Sequence, residues 1–97
     1  MEMRISARHF ELDSAIKSYA EKRLGDIDKY FNRITDAELI LTKENYRYTA
    51  ELILSVPQRK LMAKATDDEL TVALDMLSTK IEAQLSKFKE KLKNHRP

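Results

Sequence analysis

The side chains of this sequence that can do chemistry are mainly cationic, and they are concentrated towards its C-terminus. Residues 80–97 contain six Lys or Arg residues against two Glu residues, although the formal net charge of the 97-residue chain is only +2. Regularly spaced ammonium groups suit phosphates, because each neutralised phosphate releases counterions. The pattern favours a polyanionic partner, while the alternative is a solvated helix end whose lysines complement the helix dipole.

Groups suited to covalent or acid–base catalysis are scarce. The sequence has no Cys, which excludes disulfides, Cys nucleophiles and Cys-ligated zinc, and its two histidines are His9 and His95. Neither histidine lies in an HExxH motif, and no Gly-rich phosphate loop or nucleophile elbow occurs. We therefore expect a protein that is not an enzyme and that has no cofactor or metal site.

Two further groups each have a functional and a structural interpretation. The carboxylates of residues 67–69 could ligate a metal, but carboxylates at the start of a helix more often complement its dipole. Tyr46 and Tyr48 could stack on bases, but they fall within the apolar alternation of a strand. We expect the structural interpretation in both cases, with the two tyrosines packed in the core.

The elements that must position these side chains follow from hydrophobic periodicity. Alternation of apolar and polar residues predicts four strands, at residues 3–8, 35–43, 46–56 and 60–66. Short turns at 43–45 and 57–59 join the last three strands as hairpins. With only one Gly and two Pro in the chain, we expect long elements and short connections.

Helical spacing of apolar residues predicts a first helix over 14–31. Asp13 is a suitable N-cap, and Asn32 can supply the left-handed turn after the helix. Arg23 falls on the apolar stripe of this helix. Either its stem packs on the sheet edge while its charged head reaches the surface, or the head emerges to meet a phosphate.

A second, longer helix is predicted after the fourth strand. Thr66 and Glu69 have the spacing of a capping box, in which the Thr66 hydroxyl accepts a hydrogen bond from the Glu69 N–H. An apolar stripe with steps of three and four then runs from Leu70 to Leu92. A helix of about 26 residues spans roughly 39 Å, so its last turns are expected to overhang the sheet.

The order β-α-β-β-β-α predicts an α+β two-layer sandwich in a single domain over residues 1–97. We expect a four-stranded mixed sheet with two helices on one face and a parallel first strand pair. On a helical wheel, one flank of the second helix carries Lys80, Gln84, Lys87 and Lys91, and the other carries Lys89, Lys93 and Arg96. Lys22 and Lys29 share a flank of the first helix, so side-by-side helices could merge these flanks into one lysine-rich surface.

Three segments of the sequence resemble the ribosome hibernation-promoting factor family, which includes protein Y and ribosome-associated inhibitor A. Residues 5–17 (ISARHFELDSAIK) resemble the opening of the family, and residues 29–34 (KYFNRI) resemble the aromatic stretch that ends its first helix. The best match runs from Asp68 to Lys93 and includes its regularly spaced lysines. The resemblance covers essentially the whole chain and implies the same β-α-β-β-β-α fold.

The family resemblance implies binding to the small (30S) ribosomal subunit near the decoding centre, through 16S ribosomal RNA. The resemblance implies that such binding excludes mRNA and tRNA and inhibits translation, with promotion of inactive ribosome dimers as a further expectation. The residues implied as rRNA contacts are Arg8, Lys22, Arg23, Lys29, Lys80, Lys87, Lys89, Lys91 and Lys93. The match is to short family members, whose implied partner is a separate ribosome modulation factor.

Two further expectations complete the sequence analysis. The opening residues MEMRISARHF contain no apolar region typical of a signal peptide, and no apolar run is long enough to span a membrane, so we expect a cytoplasmic protein. The alternative function is a helix-mediated protein-interaction module without RNA binding, because the stripe from Leu70 to Leu92 could pair in a coiled coil.

Overall fold

The secondary-structure elements follow the periodicity of the sequence, with one exception in the first helix. The computed structural model of the protein describes residues 2–29, 31 and 33–94, with side chains described as far as Lys91. In chain order, the elements are strand β1 (Met3–Arg8), helix α1 (Ser14–Gly25), a 3₁₀ helix (Asp26–Lys29), strands β2 (Asp36–Glu44), β3 (Arg47–Val56) and β4 (Arg59–Asp67), and helix α2 (Leu70–Asn94).

The strands form one four-stranded sheet in the order β1-β2-β3-β4. Strand β1 pairs parallel with β2, and the other two pairs are antiparallel. The register aligns Ile5 with Leu39, Leu39 with Leu52, and Leu52 with Ala63, so a row of apolar side chains crosses one face of the sheet. The predicted α+β fold, with its mixed sheet and parallel first pair, is confirmed.

The hydrophobic core lies between this apolar face and the helices. Its largest fully buried apolar residues are Leu24, Ile27, Leu39, Leu41, Leu52, Leu54, Leu74, Leu77, Ile81 and Leu85. Burying one such side chain stabilises a fold by about 1.5–3 kcal/mol, which favours this helix-on-sheet packing strongly. Four of these residues belong to the apolar stripe of α2. The sheet therefore already occupies the face that a coiled-coil partner would need.

One of the two predicted N-terminal helix caps is confirmed and the other is wrong. The Asp13 carboxylate accepts a hydrogen bond of 2.8 Å from a backbone N–H in the first turn of α1. At the start of α2, however, Asp67 Oδ2 accepts the bond of 2.9 Å from the Glu69 N–H, in place of Thr66. Thr66 belongs to β4, and its hydroxyl lies 3.0 Å from that of Thr49 on the neighbouring strand.

Helix α1 ends earlier than predicted. Instead of continuing over 14–31, it stops at Gly25 and tightens into the 3₁₀ helix. Gly25 weakens the α-helix. The negatively charged carboxylates of Asp26 and Asp28 are also unfavourable near the C-terminus of a helix, which is the negative end of its dipole. The tighter turn still brings Ile27 into the core. The predicted turn at Asn32 lies outside the described residues.

The hairpin between β2 and β3 turns at Asn45 and Tyr46, slightly later than predicted. Asn45 has a left-handed φ of 55°, which Asn tolerates better than most residues. Tyr46 is 71% exposed, so the prediction that it packs in the core is wrong, because it occupies the turn and not a strand position. Tyr48 is half-buried and packs edge-to-face on Phe10, with ring centroids 5.5 Å apart.

Helix α2 gives the molecule an elongated shape. Its 25 residues correspond to a length of about 37 Å, and the principal extents of the molecule are 50, 21 and 18 Å. Towards its C-terminal end, Phe88 packs edge-to-face on Phe31, with ring centroids 5.3 Å apart. Phe31 therefore supports the part of α2 that carries the predicted lysine contacts.

Candidate RNA-binding surface

A row of polar and basic side chains follows the flank of α2 that faces edge strand β4. Lys80 Nζ donates a hydrogen bond of 2.8 Å to the Lys64 carbonyl oxygen, and Gln84 Nε2 donates one of 2.6 Å to the Met62 carbonyl oxygen. The bonds satisfy backbone acceptors that an edge strand leaves unpaired. They also help to fix the rotation of α2 about its own axis, and therefore the direction in which the side chains of its next two turns point.

The lysines of these next turns form a basic groove together with an arginine. Lys87, Lys91 and Arg59 line a groove of about 150 Å³ beside the buried ring of Phe88. The Arg59 guanidinium carbon lies 5.7 Å from the centroid of that ring, in a cation–π contact. None of these three cations forms an ion pair with another described residue, so the groove presents unneutralised positive charge.

A hydrogen-bonded junction joins α1 to α2. The Tyr19 hydroxyl donates a bond of 2.6 Å to Asp75 Oδ1, and Arg23 Nε donates one of 3.0 Å to the same oxygen. The Tyr19 bond is the main cause that lowers the pKa of Asp75 and raises the pKa of Tyr19. Asp75 is therefore ionised and Tyr19 protonated at neutral pH, which is the charge state that the junction needs.

This junction accounts for the position of Arg23 on the apolar stripe. The stem of Arg23 is partly covered, its side chain is 41% exposed, and its guanidinium pairs with Asp75. A pair this exposed contributes at most about 1 kcal/mol, so an RNA phosphate could compete with Asp75 for Arg23. The role of Arg23 as an rRNA contact stays a prediction.

The predicted contact residues do not all lie on one surface. Two groups are on the helical layer: Lys80, Lys87 and Lys91 beside β4, and Lys22, Arg23 and Lys29 along α1 and the 3₁₀ helix. Lys29 is 82% exposed and lies 3.5 Å from Asp26. Lys89 is exposed on α2, whereas the side chain of Lys93, like Arg96 and His95, lies outside the described residues. Arg8 lies on the open face of the sheet, away from the helices.

The flank of α2 with Lys80, Lys87 and Lys91 does not merge with the lysines of α1, although the helices lie side by side. The flank of α2 that meets α1 carries Asp75, while the flank with Lys80 is turned towards β4. The apolar stripe of α2 fixes this orientation, because it must face the sheet. The helical layer therefore offers two separate basic strips, and Arg59 extends the one beside β4.

Sequence analysis missed Arg59 as a candidate contact. It sits at the start of β4, and the two lysines that share its groove, Lys87 and Lys91, belong to α2 and are distant in the chain. No spacing rule links a hairpin residue to a distant helix, so only the packing of α2 along β4 reveals the group. The one available signal was a cation in a short turn next to an edge strand.

The described residues contain no group suited to hold a metal ion. No three His, Asp or Glu side chains among them are placed to share one. Helices α1 and α2, as far as they are described, also lack the length of uncharged apolar sequence that crossing a bilayer requires. The chemistry that the arrangement supports is the binding of anions by exposed lysine and arginine side chains.

The fold and these cations define a class of protein, a β-α-β-β-β-α domain with basic strips on its helical layer. The chain belongs to the family described as Sigma 54 modulation protein / S30EA ribosomal protein, which it matches over residues 3–93. It is 31% identical over 91 residues to the ribosome hibernation promoting factor of Azotobacter vinelandii, covering 94% of this chain and 85% of that protein. The protein of the same name from Escherichia coli K12 is 28% identical, with 98% and 100% covered. The family resemblance seen in the sequence is confirmed.

Solved structures share the fold. A ribosomal subunit interface protein from Coxiella burnetii superposes with a TM-score of 0.88 at 24% identity, covering 94% of this chain and 100% of that one. The N-terminal domain of Thermus thermophilus protein Y has a TM-score of 0.79 at 27% identity, with 89% and 94% covered. The overall fold of this chain is therefore shared with these two solved structures.

Proposed function

We propose that this protein is a ribosome hibernation factor that binds the small ribosomal subunit through 16S rRNA. The observation that carries the proposal is the groove of Arg59, Lys87 and Lys91, whose three cations have no ion-pair partner among the described residues. The names of relatives, ribosome hibernation promoting factor, support the same assignment.

The charge distribution favours RNA backbone as the ligand of the helical layer. Lysine is a compact point charge without the planar fork that recognises a base edge, so a surface rich in lysine selects phosphates by spacing and shape. Structured RNA is read largely in this way, through its backbone and overall form. An elongated body of 50 Å with two basic strips suits a groove that is lined by phosphates on more than one side.

The proposed mechanism is occupancy. The protein sits near the decoding centre, where mRNA and tRNA would otherwise bind, and it excludes them sterically. No covalent bond is made or broken, so the residues that matter are those that set affinity and shape. Inactive ribosome dimers are a further proposed outcome, with a ribosome modulation factor as the additional partner.

Sedimentation with purified ribosomal subunits tests the proposal. We expect the protein to co-sediment with small subunits and not with large ones, and the bound fraction to fall as salt rises, because phosphate contacts release counterions. Loading the subunits first with mRNA and tRNA should reduce binding. Absence of co-sedimentation at low salt, or equal binding to both subunits, would contradict the proposed function.

A further inference from the structure

The face of the sheet that the helices leave open forms a concavity of about 590 Å³. It lies between the end of β1 and the hairpin of β2 and β3, on the side opposite to the core. Its floor is a cross-strand row of Thr42, Thr49 and Thr66, which continues from Arg8. A floor of hydroxyl groups offers hydrogen bonds and little apolar area, so it suits a polar ligand better than a hydrophobic peptide.

The cations of the concavity are available for binding. Arg8 is exposed and forms no ion pair with another described residue, and the same is true of the ammonium of Lys64 on β4. Arg47 is paired with Asp68 at 3.3 Å, but both side chains are largely exposed. Glu44 and Glu51 also line the surface, so its excess of positive charge is modest, and charge alone does not define the ligand.

An aromatic ring at the rim narrows the choice of ligand. Tyr46 projects into solvent from the hairpin turn, and its 71% exposure is the highest among the large hydrophobic side chains described. His9, with φ 70°, and Asn45, with φ 55°, lie on the same rim in left-handed backbone conformations. Both residues belong to the turns that end β1 and β2, so the rim is built from turn residues.

We propose that this concave face is a second RNA-binding surface, which takes an unpaired nucleotide segment. A base stacks on the Tyr46 ring, and phosphates further along the segment are bound by Arg8 at one edge of the sheet and by Lys64 at the other. Stacking needs an exposed base face, which single strands have and duplexes do not, and it is tolerant of sequence. A polar sheet face with an exposed aromatic ring and nearby cations gains affinity both from base stacking and from phosphate binding.

The surface lies on the opposite layer from the groove of Arg59, Lys87 and Lys91, so the two can act independently. The protein can therefore hold two RNA segments at once, one on each face. This inference does not depend on ribosome binding, because it concerns free single-stranded RNA and the isolated protein. Failure of subunit co-sedimentation and failure of this surface are thus separate results.

NMR titration of the labelled protein with a single-stranded RNA of about eight nucleotides tests the inference. We expect the largest shift changes at Arg8, Thr42, Tyr46 and Thr66, and a duplex of the same sequence should not produce them. Tyr46→Ala should weaken binding by about tenfold or more, whereas Tyr46→Phe, which keeps the ring, should bind as the wild type does.

A matched pair of arginine variants isolates the role of charge. Arg4 and Arg8 lie on the same strand and the same face, but Arg4 pairs with Asp36 at 2.7 Å and does not line the concavity. Arg8→Ala should weaken RNA binding several-fold more than Arg4→Ala. Shift changes confined to the helices, or equal affinities of the wild type and Tyr46→Ala, would overturn the proposal, as would equal effects of the two arginine variants.

Discussion

The Tyr19 hydroxyl donates a hydrogen bond of 2.6 Å to Asp75 Oδ1, and this bond ties helix α1 to helix α2 across 56 residues of sequence. Arg23 donates to the same oxygen, so one carboxylate holds two side chains of the neighbouring helix. The bond joins the two helices of the layer on which both basic strips lie. Its dependence on two ionisable groups makes the junction sensitive to pH at both extremes.

The first prediction concerns this pH dependence. The pKa of Asp75 is lowered from its usual 3.8, so its contribution to stability is complete above that pH and is lost as pH falls through the depressed value. The pKa of Tyr19 is raised from 10.0, so its contribution is complete below that pH and is lost as pH rises through the raised value. Urea unfolding across pH should show both losses in the wild type.

Tyr19→Phe should reduce both losses, because it removes the bond that is the main cause of each shift. NMR titration of the Asp75 carboxyl should show its pKa moving back towards 3.8 in this variant. Tyr46→Phe is the matched control, since the Tyr46 hydroxyl has no hydrogen bond to another described residue. Parallel pH profiles for the wild type and Tyr19→Phe would show that the junction does not control stability in this way.

The second prediction concerns the cations at the far end of α2. Lys87→Glu and Lys91→Glu should each weaken binding to small subunits by about tenfold or more, and should reduce the salt dependence by roughly one phosphate contact each. Their side chains are exposed, so the fold should remain intact. Binding isotherms at several salt concentrations, together with circular dichroism, provide the measurement.

Lys17→Glu is the matched control for these charge reversals. Lys17 is also an exposed helical lysine, but it lies in the first turn of α1, far from the groove. The Lys17→Glu substitution changes the net charge by the same amount without altering a proposed contact residue. If all three variants weakened binding equally, total charge and not the groove would determine affinity.

The overall fold could be predicted from the sequence because burial imposes a strict pattern on it. The alternation from Ala50 to Val56 and the stripe from Leu70 to Leu85 each allow only one apolar face, and these faces must meet. The local details that failed are decided by competition between near neighbours. Asp67 takes the place of Thr66 as the partner of the Glu69 N–H, because the Thr66 hydroxyl is engaged with the Thr49 hydroxyl of the neighbouring strand.

The candidate site was only partly accessible to sequence reasoning. The lysines of α2 could be found from their spacing, but the side of the molecule that they face depends on how the helix packs. The sequence pattern places Tyr46 at the start of the third strand, and therefore in the core. In the structure it lies in the two-residue turn, one position before β3. Asp75 and Arg59 act through partners that are distant in the chain, and no local pattern identifies such pairs.

The third prediction tests Arg59, which only the structure reveals as part of the basic groove. Arg59→Glu should weaken binding to small subunits to a similar extent as Lys87→Glu, since both cations line the same groove. Arg59→Lys should retain most of the affinity, because it keeps the charge. Arg59 is exposed and its contact with Phe88 is worth about 0.5–1 kcal/mol, so the variants should remain folded. Wild-type affinity in Arg59→Glu would remove this residue from the site.

The fourth prediction separates a structural lysine from a binding lysine on one helix flank. Lys80 and Gln84 donate to backbone carbonyl groups of edge strand β4, whereas Lys87 has no such bond. Lys80→Met and Gln84→Ala should each lower the free energy of unfolding by about 1 kcal/mol. The double variant should also self-associate more readily, because it uncovers an edge that can pair with another strand.

Lys87→Met is the control, because it removes the same charge from the same flank without freeing a carbonyl group. It should leave the free energy of unfolding within about 0.5 kcal/mol of the wild type and should impair subunit binding. Urea unfolding and size-exclusion chromatography at several concentrations distinguish the two roles. Equal stability of Lys80→Met and Lys87→Met would mean that the bond from Lys80 to β4 contributes nothing, and Lys80 would then be free to contact RNA as proposed for Lys87.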